Sequence, residues 1–166
     1  GEDVGKYIHL PRGCAEKLTA QLDSAGITYA TRDERQVGRE IKVDFKGTLY
    51  PQQADAAAKM LEHDTGVLCA ATAFGKTAVG AYLVAQRKVN TLVLGHNADF
   101  EKFLQIDEDL PEYITPKGRH KKRKSIIGTL SGGRNTLGGI LDVAMVTSLG
   151  QDGDVNPLIQ NYGMVI

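Results

Sequence analysis

The 166-residue chain has no tryptophan, only two cysteines and 6% aromatic residues, and its 20 basic residues balance its 20 acidic ones. Each scarcity excludes something. With cysteines only at positions 14 and 69, a zinc cluster is out of reach; Cys69 falls in an apolar stretch, so buried free thiols in a reducing cytoplasm are expected. A balanced charge excludes a global polycation, and any nucleic-acid contact has to come from a local patch. No apolar run approaches the roughly 20 residues of a membrane span, and the N-terminus lacks the apolar core of a signal peptide; a soluble, cytoplasmic protein without a membrane partner is expected. No internal repeat is visible. The length suits one domain of ordinary size with a small appendage, enough to bury a core.

What is present centres on Ala70-Ala71-Thr72-Ala73-Phe74-Gly75-Lys76-Thr77. Gly66 to Cys69 reads as a buried strand, and the residues after Lys76 place Val79, Leu83 and Val84 at helical spacing. A loop between such elements faces a helix N-terminus, whose unpaired N–H groups and partial positive charge favour a polyphosphate. Lys76 is placed to reach the β- and γ-phosphates of a nucleotide, and the Thr77 hydroxyl to ligate Mg²⁺. The general phosphate-loop pattern asks for glycine where this chain has Ala70. Ala73 has either to avoid positive φ or to accept strain.

Around this loop the chain changes rhythm. Tyr7 to Leu10 reads as a strand, Cys14 to Ala25 as a helix stopped by Gly26, and Ile27 to Thr31 and Glu40 to Phe45 as strands, so residues 1–46 form a small α+β accessory domain. Lys46-Gly47 is the expected boundary. Beyond it come helix 52–62, strand 66–69, helix 76–87 and strand 91–94, an alternation that builds a parallel sheet. Phe100 to Leu104 reads as a short helix, Pro111 to Lys124 as a polar loop, Ser125 to Ile127 as a strand before the turn-rich Ser131-Gly132-Gly133-Arg134-Asn135, and Val143 to Val146 and Met164 to Ile166 as further strands. An all-apolar strand at the very end leads to the expectation that the natural chain continues.

Several motifs in order resemble the first RecA-like motor domain of a superfamily 2 helicase of the DEAD/DEAH-like kind, in the branch with damage-response and phage recombination DNA helicases. The likeness spans Leu49 to Ile166 and implies an α/β, RecA-like P-loop NTPase domain, here truncated, with ATP and Mg²⁺ as cofactors and DNA, or RNA, as partner. Ala70 to Thr77 is similar to the family's A-x-T-G-x-G-K-T variant, which assigns Lys76 and Thr77 to catalysis, Thr77 to the metal, and Thr72, Ala73, Phe74, Gly75, Lys76, Thr77 and Ala78 to the nucleotide. Leu49-Tyr50-Pro51-Gln52-Gln53 resembles the upstream segment whose glutamine reads the adenine edge, making Gln53 the candidate. Leu92 to Asn97 resembles motif Ia, with His96 and Asn97 at the strand exit, and Val143 to Leu149 resembles the strand ending in T-x-Q-S-L, with Thr147 and Ser148 on the nucleic-acid backbone. Met164-Val165-Ile166 matches the strand that in the family runs into the D-E-x-H box. By this likeness that box and the second RecA-like domain lie beyond Ile166, and the 166 residues alone bind nucleotide poorly and hydrolyse it hardly at all.

Two readings stay open beside this one. A RecA-like nucleic-acid-binding or scaffold module without ATP turnover accommodates the missing glycine at Ala73, and a P-loop kinase starts from the same strand, loop and helix. The dense run Lys117 to Lys124 either grips phosphates by counterion release or remains a solvated loop.

Overall fold

The computed structural model of the chain describes residues 2–4, 7–9, 12–32, 36–95, 99–115, 117–151 and 154–166. Contacts divide it into two units, Gly1–Arg35 and Gln36–Ile166. In the first, β1 (Glu2–Val4) pairs antiparallel with β2 (Tyr7–His9), and a 3-10 turn at Arg12–Cys14 leads into α1 (Ala15–Ser24). The helix ends at Gly26, with the Ala25 and Ile27 amides donating to the Gln21 and Leu22 carbonyls. No residue of α1 is buried. Ile27 to Thr31, expected as a strand, forms none and is exposed throughout.

The second unit begins upstream of the Lys46-Gly47 boundary expected from the sequence, because β3 (Val43–Phe45) is part of its core. Ile41 and Val43 are buried, and the Phe45 ring meets the Tyr82 ring edge-on at 5.3 Å. β3 pairs antiparallel with β5 (Leu104–Ile106). Two helices follow it, α2 (Pro51–Leu61) and α3 (Lys76–Arg87), both rich in alanine and straight-chain residues. They pack on each other through Ala57, Val79 and Leu83, and Arg87 ties their C-terminal ends by donating to the Leu61 and His63 carbonyls.

The main sheet has five strands in the order β13-β4-β10-β8-β9, comprising β4 (Thr91–Leu94), β8 (Ile127–Ser131), β9 (Arg134–Asn135), β10 (Leu141–Ala144) and β13 (Met164–Val165). The first four in that spatial order are mutually parallel; β9 returns antiparallel through the tight Gly132-Gly133 turn. The domain is therefore α/β with a mostly parallel sheet. Alternation of side chains along the strands sends Val93 and Val143 toward Ala81, Val84 and Ala85 of α3, and Leu92 and Ala144 to the opposite face against Leu149 and Tyr162. The remaining elements are β6 (Glu112–Ile114) paired with β7 (His120–Lys122), α4 (Val146–Leu149), and β11 (Gly150–Gln151) paired with β12 (Asp154–Val155). Phe100–Lys102 is a single 3-10 turn, and within the loop expected at 111–124 residues 112–114 and 120–122 pair as antiparallel strands.

Two buried polar side chains organise the sheet. Asn90 Oδ1 accepts from the Arg39 and Gly163 amides at 2.8 and 3.1 Å, and its Nδ2 donates to the Gly139 and Asn161 carbonyls. The Asp142 carboxylate accepts from the Gly138 and Gly139 amides and from the Tyr162 hydroxyl at 2.6 Å. Burial first, and then this bond to Asp142, push the tyrosine hydroxyl well above its ordinary pKa. Nearer the surface, Glu108 accepts from the Lys42 amide at 2.8 Å and from Arg39 Nη1 at 3.1 Å, and the backbone bond, followed by the guanidinium, holds its carboxyl below its ordinary pKa.

The largest departure from the sequence reading lies at residues 66–70. They form no strand: Val67 is 94% exposed and Cys69 is exposed, as is Cys14. A four-residue apolar run becomes a buried strand only where another strand supplies its ladder bonds. Here the run bridges α2 and α3, and of its side chains Leu68 alone packs against their cluster.

Candidate functional site

The loop preceding α3 is held in one shape from both ends. Pro51 opens α2, and Gln53 Oε1 accepts from the Tyr50 amide, as a capping glutamine does. The other end of the same side chain, Nε2, donates to the Phe74 carbonyl at 2.7 Å. Gln53 is buried, and each half of its amide makes one bond inside the protein, so it braces the loop; the contact with an adenine edge expected from the sequence would draw on its second N–H and its second lone pair. Phe74 packs its ring against the α2–α3 cluster. Ala78 is buried in the first turn of α3, Thr77 is half-buried, and Thr72 is exposed.

Between these anchors the backbone turns through two left-handed residues, Ala73 at φ 66° and Gly75 at φ 85°. Glycine takes this conformation freely; alanine at 73 accepts the strain that its Cβ imposes. Both stand just before a 12-residue helix, so the amides that follow them are those of a helix head. Among the described residues the Gly75, Lys76 and Thr77 amides have no acceptor. Such a nest, reinforced by the helix dipole, is the arrangement that holds an anion. Lys76 is exposed and its Nζ donates to the loop's own carbonyls, Ala70 at 2.9 Å and Ala71 at 3.0 Å. The cation is thus already over the loop. Thr77 carries a hydroxyl with no partner among the described residues, while no group of three His, Cys, Asp or Glu side chains there is arranged to hold a metal ion. The donors therefore suit the oxygens of a phosphate, with Thr77 able to give one ligand to a cation that the phosphates bring with them.

Ile166, just past β13, lies against α3. Its Cδ1 is 4.0 Å from where a Cβ on Gly80 would stand, one helical turn from Lys76.

A concavity opens on the sheet, away from this loop. A cleft of about 380 Å³ runs along β8 toward the carboxyl ends of β4, β8 and β10, and its lining includes Gly95, Lys102, Thr129, Ser131, Arg134 and Met145. Ligands of open α/β sheets sit at such strand ends. Lys102 is paired with Asp99 at 2.7 Å, whereas the exposed Arg134 has no ion pair among the described residues. Of the residues expected to touch nucleic acid, His96 and Asn97 lie outside the described residues. Thr147 is exposed and Ser148 half-buried on α4, directly after β10. None of the phosphate-loop residues lines this cleft. Sequence reasoning passed over Ser131 and Arg134 as parts of a glycine turn; Ser131 ends β8 and Arg134 opens β9 across that turn.

No family model matches the sequence, and no curated protein matches it significantly. Among the described residues no helix is long and apolar enough to cross a membrane.

Proposed function

We propose that the chain is the nucleotide-binding part of an ATP-dependent nucleic-acid motor, a DNA helicase or translocase with a RecA-like P-loop domain. The observation that carries this reading is the nest of free amides at Gly75, Lys76 and Thr77 on the head of α3, covered by the Lys76 ammonium. In this reading the amides and Lys76 bind the β- and γ-phosphates of ATP, Lys76 exchanging its bonds to the Ala70 and Ala71 carbonyls for phosphate oxygens. Thr77 contributes a hydroxyl to Mg²⁺, and Gln53 keeps the loop in register through the Phe74 carbonyl. Bound Mg²⁺–ATP supplies the phosphoanhydride whose hydrolysis drives movement. Thr147, Ser148 and the strand-end cleft meet the nucleic-acid backbone, contacts that position a strand without reading its sequence.

Two observations favour a second reading, a RecA-like binding or scaffold module without turnover: residues 66–70 lie outside the sheet, and Lys76 is satisfied by its own loop. Calorimetric titration of the 166-residue chain with millimolar Mg²⁺–ATP separates the two. The motor reading expects weak, saturable binding that Lys76→Ala reduces about tenfold or more, the loss of one charge-assisted contact worth about 1.5–3 kcal/mol. Equal binding by the variant, or none by the parent chain, refutes it.

A further inference from the structure

Residues 112–124 hold six of the chain's 20 basic residues and one of its 20 acidic ones, Glu112, so the cations are concentrated in a protein that is otherwise acidic on balance. They are also ordered. β6 and β7 pair through Glu112↔Lys122, Tyr113↔Lys121 and Ile114↔His120. The tip is closed by the Thr115 amide donating to the Arg119 carbonyl, the Gly118 amide to the Thr115 carbonyl and the Arg119 amide to Thr115 Oγ1, with Gly118 at φ 75° where a side chain would be strained. At the base, the Arg123 guanidinium lies 4.5 Å over the Tyr113 ring and the Arg123 amide donates to the Pro111 carbonyl. All of Lys117, Arg119, His120, Lys121, Lys122 and Lys124 are exposed, and none makes an ion pair or hydrogen bond through its side chain among the described residues. By contrast Arg39, Arg87 and Lys102 are each paired with a carboxylate.

We infer that this hairpin is a grip on the phosphate backbone of duplex nucleic acid, separate from the strand-end cleft. The choice of nucleic acid as the polyanion rests on the motor reading above. The choice of duplex rests on the hairpin itself. Single-strand binders add large aromatic platforms on which bases stack, but the hairpin's single Phe, Tyr or Trp ring, Tyr113, is covered by Arg123, which leaves only the small His120 imidazole exposed. What remains is a ridge of unpaired cations, which gains most from the partner with the densest charge: duplex DNA carries a charge per roughly 1.7 Å of axis, a single strand one per roughly 3.4 Å. Such a grip is indifferent to sequence, as suits an element that travels along its track.

The test uses the 166-residue chain and a variant with Lys117, Arg119, Lys121 and Lys122 all changed to Gln, binding a labelled 20-base-pair duplex across a salt series. Each lost phosphate contact lowers the log–log salt slope by about 0.9, so the variant's slope is expected to fall by about 3 to 4. Its thermal melt and its Mg²⁺–ATP binding stay unchanged, and the parent chain binds the duplex more tightly than a single strand of equal length. A slope changed by less than about 1 overturns the proposal. So does a parent chain that binds no duplex, prefers the single strand, or binds phosphatidylserine vesicles more tightly than DNA. Nucleotide binding lost while the hairpin slope persists removes the motor reading and leaves the hairpin; an unchanged slope with Lys76-dependent nucleotide binding intact does the reverse.

Discussion

Replacing Ala73 with glycine should make this protein more stable, an unusual direction for a substitution in a loop. Ala73 stands at φ 66°, in the left-handed region, and cannot relax out of it. On one side the Phe74 amide is bonded to the Ala71 carbonyl, and on the other the Phe74 carbonyl is bonded to Gln53 Nε2. A non-glycine residue in that region costs about 1–2 kcal/mol. Glycine recovers that strain but releases more chain entropy on unfolding, an offset of about 0.4–1 kcal/mol. The Ala73 side chain is exposed, so little packing is lost with it. The net expectation is a gain of about 0.5–1 kcal/mol, or roughly 1–4 °C in Tm for a chain of this size. Urea denaturation followed by circular dichroism measures it, with an unchanged m-value showing that the same cooperative unit unfolds. Ala73→Val is the counter-probe, since a β-branched side chain is less tolerant of positive φ and should lower stability. If Ala73→Gly is neutral or destabilising, the left-handed strain assigned to this loop is wrong.

Two further outcomes follow from the polar contacts of the second unit. Asn90→Ala leaves the Arg39 amide and the Gly139 and Asn161 carbonyls without their partner, while the Gly163 amide keeps the Asn90 carbonyl. At about 1–3 kcal/mol for each orphaned buried group, with water reaching some of them, a loss of about 3–5 kcal/mol is expected in urea denaturation, and a loss below about 1 kcal/mol would contradict the network. Glu108 has a folded pKa below its ordinary 4.5, so its contribution to stability is present above that pH and fades as pH falls through the folded value. Glu108→Gln should therefore be less stable than the parent at neutral pH, with the gap closing on acidification below 4.5; a gap that does not vary with pH refutes the assignment.

How far the sequence could be read depended on whether a segment carries its own partner. The spacing of Val79, Leu83 and Val84 specifies a helix whatever surrounds it, and α3 runs over the expected residues, 76–87. β4 likewise matches its expected span of 91–94. Residues 66–69 have the same apolar character as β4 but were misread, because composition does not say whether a neighbouring strand is there to pair with. β3 was recognisable as a strand, yet its pairing with β5 joins residues about sixty apart and moved it out of the N-terminal unit. The hairpin at 112–122 escaped notice because its order comes from the Thr115 turn and the stacking of Arg123 on Tyr113 rather than from apolar alternation. At the loop, the placement of Lys76 and Thr77 at the head of α3 was legible from residue type and spacing. The internal bonds of Gln53 were not, since nothing in sequence says that its amide reaches the Tyr50 amide and the Phe74 carbonyl.

The Asn90 hub also has a bearing on time. Its four side-chain bonds close over sequence separations of 49 to 73 residues. Contacts that distant form only after the chain has lost most of its freedom, because loop closure has to be met before they return anything. None of them can guide the early steps of folding. They act once the sheet is assembled, and all four must part before β4 is free of β13 and the turn ahead of β10. Interactions absent from the transition state slow unfolding and leave the folding rate untouched. Asn90→Ala is therefore expected to speed unfolding in stopped-flow measurements and leave the refolding rate unchanged, and a slowed refolding limb would contradict this.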